Sequence, residues 1–139
     1  MATDRPPVLG LTPQEYYDAA DLWPLDQDGN ILLMGIIEEP EGVKNIRDIL
    51  RQARGIGAIW AGPGDMSVAM GHRGNTGHPE VQETLLKILA ACKDAGVPCA
   101  VGAAAAEVPM RLEQGFRIVI TPPEKTTRGL AEGRRLSGR

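Results

Sequence analysis

The chain changes character at Ala58-Ile59-Trp60-Ala61-Gly62-Pro63-Gly64-Asp65, where five small or apolar residues run into a glycine–proline segment that carries an acid. The first five residues suit a short buried strand, and Gly62-Pro63-Gly64-Asp65 suits a loop leaving its end. Beyond a polar stretch from Gly71 to Gly77, His78-Pro79-Glu80 marks a helix start with proline in the first turn. Val81, Leu85, Ile88, Leu89 and Cys92 then recur at helical spacing, and Gly96 supplies the stop. Val97-Pro98-Cys99-Ala100-Val101 is apolar again, so the order strand, loop, helix, strand is spelled out in one continuous stretch.

The same alternation extends in both directions. Upstream, the turn formers Asp26-Gln27-Asp28-Gly29-Asn30 deliver the chain into Ile31-Leu32-Leu33-Met34-Gly35-Ile36-Ile37, apolar on both faces and therefore a buried strand ending at Glu38. After Pro40, the positions Val43, Ile46, Ile49, Leu50 and Ala53 mark one face of a helix that Gly55 and Gly57 are expected to stop. Downstream, a helix over roughly Ala105 to Gln114, weakened by Pro109, precedes a strand at Phe116-Arg117-Ile118-Val119-Ile120. Pro122-Pro123 opens a last helix. At the front, Thr12-Pro13-Gln14-Glu15 forms a capping box for a short helix over about 12–20, through Tyr16, Tyr17 and Ala20. The chain therefore divides into an N-terminal segment, 1–30, and an alternating unit, 31–139.

Helical connections of this length return the chain to the same edge of a sheet, which demands parallel strands in right-handed units. Two α/β architectures satisfy the order: a small doubly wound sheet, or four consecutive (β/α) units of a (β/α)8 TIM barrel. At 139 residues the chain is well short of the roughly 250 of a complete barrel.

Composition bounds the function. With 42% hydrophobic and 24% charged residues the chain is globular rather than disordered, and a net charge of −3 argues against a nucleic-acid partner. Arg128, Arg134, Arg135 and Arg139 sit where cations complement the dipole of a terminal helix. The longest apolar run, Ile31 to Ile37, is too short to span a bilayer, and Met1 to Pro7 has no apolar signal core. A cytoplasmic protein without a membrane partner is expected. Cys92 and Cys99 form no C-x-x-C pair and read as reduced core thiols.

Glu38 closes one strand and Asp65 lies just past the end of the next, so in either parallel architecture both acids point into the rim where such folds place their active sites. Two carboxylates converging there repel unless neutralised, and a hard divalent cation neutralises them while leaving positions for substrate oxygens. Two solvated loop acids fit the same spacing. His72 in its polar loop and His78 before Pro79 read as structural; Trp60 and Met70 are candidates for lining a pocket, although a strand Trp beside an apolar run suits the core better.

Met34-Gly35-Ile36-Ile37-Glu38-Glu39-Pro40-Glu41-Gly42-Val43-Lys44-Asn45-Ile46 resembles the fifth-strand segment of the HpcH/HpaI aldolase/citrate lyase family. Ile59 to Ser67 with Met70-Gly71, Gly74-Asn75 and His78-Pro79-Glu80-Val81 resembles its sixth-strand signature, an ordered set of residues far more specific than a lone Gly-Pro-x-Asp. The resemblance runs from about Leu11 to the end and implies the second half of a TIM barrel. It implies a metal-dependent pyruvate aldolase acting on 4-hydroxy-2-oxo acids, with Glu38 and Asp65 holding magnesium, manganese or cobalt. Gly62, Pro63, Gly64 and Asp65 would then contact the substrate, the Gly64 and Asp65 amides nearest its carboxylate. In the family a His base, its Asp partner and a substrate-gripping Arg come from the first half of the barrel, which this sequence lacks. No residue here is assigned as the base, and the resemblance implies a homo-oligomer or a complementing N-terminal half. A citrate-lyase-like acyl-CoA lyase and a non-catalytic half-barrel are the alternatives.

Overall fold

The computed structural model describes residues 10, 12, 14, 15, 21–122 and 127–138. The capping box forms as expected: the Thr12 amide donates to Glu15 Oε2 at 2.7 Å and the Glu15 amide to Thr12 Oγ1 at 3.2 Å. Tyr16, Tyr17 and Ala20 lie outside the described residues, as do Pro123 and Arg139.

The apolar run 31–37 is two strands rather than one. Strand β1, Leu22–Trp23, pairs in parallel with β2, Ile31–Leu32, in a two-stranded sheet. β3, Met34–Ile37, belongs to a separate four-stranded sheet. Leu33 is the junction: its carbonyl accepts from the amides of Gly57 and Ala58, which begins the pairing with the next strand.

From β3 the chain enters helix α1, Pro40–Gln52, which starts with Pro40 in its first turn and buries Ile46. It stops earlier than its glycines suggested, at an extended Ala53 whose amide still bonds Ile49 O. Strand β4, Ala58–Ala61, is followed at once by helix α2, Pro63–Ala69. The segment 62–65 is thus a helix start, with Gly62 as N-cap and Pro63 at the first position, rather than a loop. Helix α3, Pro79–Ala95, runs between its expected signals and ends at Gly96, whose φ of 68° is open to glycine and strained for other residues. β5 is Cys99–Gly102; a 3-10 turn at Ala105–Glu107 leads into helix α4, Val108–Gln114; β6 is Ile118–Ile120; and α5 is Arg128–Leu136. Arg134 and Arg135 fall in its last turn as expected, but Arg128 is its first residue, where a cation opposes the helix dipole instead of complementing it.

The main sheet has the order β3-β4-β5-β6, all parallel. This is an α/β fold of sequential strand–helix units. One phase of strand alternation, Ile37, Ile59, Ala61, Cys99 and Val101, packs against Ile46 of α1 and Val81, Leu85, Ile88, Leu89 and Cys92 of α3. Cys92 and Cys99 are buried free thiols in this core. The other phase faces away: Ile36, in register with Trp60, is 49% exposed, and Trp60 is half-buried outside the core cluster instead of within it. Met70 is partly buried and packs against that cluster.

Adjacent leucines on α3 test the packing. Leu85 is fully buried and Leu86 is 41% exposed. Leu85→Ala should lower unfolding free energy by about 2–5 kcal/mol in urea titration, whereas Leu86→Ala should change it by less than about 0.5 kcal/mol.

Candidate functional site

The register of β3 and β4 builds one end of the sheet. Ile37 pairs with Ala61, and the Gly62 amide donates to Ile37 O at 3.0 Å, extending the ladder by one step. Glu38 therefore sits beside Gly62. A Cβ at Gly62 would lie 3.1 Å from Glu38 Cβ, tight enough that the strand ends would have to part by a few tenths of an ångström, so glycine eases their close approach. Pro63 then turns the chain into α2, and Asp65 falls in its first turn.

Glu38 and Asp65 line the same cleft, of about 540 Å³, together with Ile36, Glu39, Val68 and Ala69. Among the described residues neither carboxylate forms an ion pair or hydrogen bond. Asp65 and Gly64 are exposed, and Glu38 is partly so. Helix α2 leaves the amides of Gly64 and Asp65 without intrahelical acceptors, as the first turn of any helix does. A Cβ at Gly64 would meet nothing within 4 Å, so the space in front of these amides is open. Two hard oxygen donors in one solvent-reached cleft, free of competing partners, fit a divalent cation.

The two histidines are not isolated. His72 Nε2 and Glu80 Oε2 are 2.7 Å apart, and the His72 and His78 rings stack with centroids 3.5 Å apart and 15° between planes. The His72 hydrogen bond, with the ring's charge, holds the Glu80 carboxyl below the usual carboxylate range. His78 also caps α3, its Nδ1 accepting from the Glu80 amide at 3.3 Å. The spacing of His72, His78 and Glu80 gave no sign that a loop would fold the first back onto the other two. The buried Cys99 thiol is a poor candidate nucleophile, because its hydrogen bond with Cys92 and its burial both push its pKa up.

A model of the HpcH/HpaI aldolase/citrate lyase family matches residues 10–119. The chain belongs to this family. A 5-keto-4-deoxy-D-glucarate aldolase of Citrobacter koseri is 42% identical over 72 residues, which make up 52% of this chain and 28% of that protein. The crystal structure of an HpcH/HpaI family protein from Burkholderia cenocepacia superposes with a TM-score of 0.64 at 25% identity, over 81% of this chain and 43% of the other. For the HpcH/HpaI aldolase of Desulfitobacterium hafniense the values are 0.64, 27%, 78% and 42%. This HpcH/HpaI chain thus spans less than half the length of these relatives. Among its described residues no helix is long and apolar enough to cross a membrane.

Ser67 holds the site's surroundings in place. It is fully buried, donates from Oγ to Gly64 O at 2.6 Å, and accepts at the same oxygen from the Gly74 amide at 3.0 Å. Ser67→Ala should remove the acceptor of the Gly74 amide and cost about 1–3 kcal/mol. Hydrogen exchange should show the Gly74 amide losing protection while the α3 core amides keep theirs.

Proposed function

We propose that this chain supplies the metal- and 2-oxo-acid-binding half of a class II pyruvate aldolase, with residues 31–139 forming four (β/α) units that correspond to the second half of a (β/α)8 barrel. The observation that carries the reading is the convergence of Glu38 and Asp65 on one cleft at the end of parallel strands. The sheet supports the barrel assignment: its strands follow chain order, one face is packed by α1 and α3, and the other carries the exposed Ile36 and the half-buried Trp60.

In this reading Glu38 and Asp65 hold magnesium, manganese or cobalt. Such a cation supplies Lewis-acid chemistry, taking up negative charge that develops on a keto oxygen of the substrate. The residues of this chain do the rest of the binding. Gly62 leaves room for Glu38, Pro63 starts the helix, and the free Gly64 and Asp65 amides at its first turn face the carboxylate of pyruvate. The substrates are a 4-hydroxy-2-oxo acid, or pyruvate with an aldehyde, and the named activity of the Citrobacter koseri relative belongs to the same chemical class. The proton-transferring base comes from a complementing N-terminal half or a second copy. The exposed apolar surface favours such a partner: Leu25, Leu32, Leu33 and Ile36 are each 44–56% exposed along β2, β3 and the turn before them.

Manganese relaxation of water protons tests the reading. The wild-type chain should bind Mn2+ and the signal should respond to pyruvate, while Glu38→Ala and Asp65→Ala should each abolish both effects. Gly64→Ala, which meets no protein atom, should keep the Mn2+ signal and weaken the response to pyruvate. Mn2+ binding that survives in Asp65→Ala would sink the assignment.

A further inference from the structure

We propose that His72, His78 and Glu80 form a second, nitrogen-rich cation site that takes a borderline transition ion such as Zn2+ and pins the loop between α2 and α3. The three side chains present ligand atoms that all lie within 4.8 Å of one another. Nothing in this depends on Glu38 or Asp65.

The loop backbone places the two rings before any ion arrives. The His72 amide donates to Ser67 O at 2.7 Å, the Asn75 amide to His72 O at 2.9 Å, and the His78 amide to Asn75 O at 3.1 Å. Asn75 thereby ties the two histidine backbones together, and Gln82 Nε2 bonds Thr76 O at 2.6 Å to close the loop onto α3. A site whose ligands are already ordered loses little entropy on binding. His72 Nε2 already points at Glu80 Oε2, so the ion takes the place of the proton shared between them, and His78 adds a ring nitrogen from the stacked position. Because ring-nitrogen lone pairs lie in the ring plane, the stacked imidazoles must tilt apart to converge on one ion, a movement the broad ring torsion allows. The contacts given up are the ring stack and, if His78 Nδ1 is used, the long 3.3 Å bond it accepts from the Glu80 amide.

Charge and ligand type select the ion. The site adjoins the N-terminus of a 17-residue helix, whose dipole disfavours a cation, so the Glu80 carboxylate is required and not incidental. Two imidazoles and one carboxylate, with water completing the shell, suit zinc and its neighbours, whereas magnesium prefers oxygen throughout. The two sites would therefore sort ions, the oxygen-only pair of Glu38 and Asp65 from the imidazole cluster on the loop.

Imidazole resonances provide a clean readout, because the chain contains two histidines and both are in the cluster. In the full chain, Zn2+ should shift or broaden the ring signals of both, Mg2+ should leave them in place, and Asp65→Ala should keep the Zn2+ response. His72→Ala, in an exposed loop, and Glu80→Gln, which keeps the size of the side chain, should each weaken Zn2+ affinity by at least about tenfold. If Zn2+ leaves both rings unmoved, or if Asp65→Ala removes the response while His72→Ala and Glu80→Gln preserve it, the cluster is only a stacked helix cap and the proposal fails.

Discussion

The cleft depends on the parallel pairing of Met34–Ile37 with Ala58–Ala61 and on the missing side chain that follows it. The pairing carries Glu38 to the level of Gly62, and glycine there leaves Cβ of Glu38 unobstructed. Pro63 then commits the next residues to a helix, which brings Asp65 back over the strand ends instead of letting it trail into solvent as a loop acid. A one-residue slip in this register would send every strand residue to the opposite face, burying Ile36 and expelling Ile37 from the core. The apolar packing of Ile37, Ile59 and Ala61 against α1 and α3 is thus what holds two acids in one place.

Much of this was legible because it was written in periodicity and punctuation. The face of α3 at Val81, Leu85, Ile88 and Cys92, with Pro79 before it and Gly96 after, needs no tertiary information to be read. The capping box at Thr12 and Glu15 is equally local. What escaped was non-local. Ile31 to Ile37 is one uninterrupted apolar run, yet it serves two sheets, because Gly57 and Ala58 claim the Leu33 carbonyl. Trp60 looked like core by its neighbours, but alternation along β4 puts it on the face that α1 and α3 do not cover. The helix at Pro63–Ala69 carried N-cap and N1 signals, masked by a second glycine and a length of 7 residues.

The acids themselves were legible as a pair only because the fold is parallel. Spacing along the chain separates Glu38 from Asp65 by a whole helix, and their common cleft follows from strand order rather than from any motif of adjacent residues. The histidine cluster is the opposite case. Its members are close in sequence, but the approach of His72 to Glu80 depends on the tight turns at Gly71, Arg73 and Gly74, all with positive φ, which no hydrophobic pattern reveals.

These two sites are mechanically joined through Ser67. It lies two positions beyond Asp65 on α2, and its buried hydroxyl spans Gly64 O and the Gly74 amide while its own carbonyl receives the His72 amide. A short helix of 7 residues has little stability of its own, so α2 depends on such tertiary bonds to stay formed. The loop at 71–78 thus shares with the buried Met66 the task of holding the helix that carries Asp65. The coupling runs through hydrogen bonds to a buried oxygen, where an unmade bond is costly, and that cost is what makes the loop part of the cleft's support instead of a passive connection.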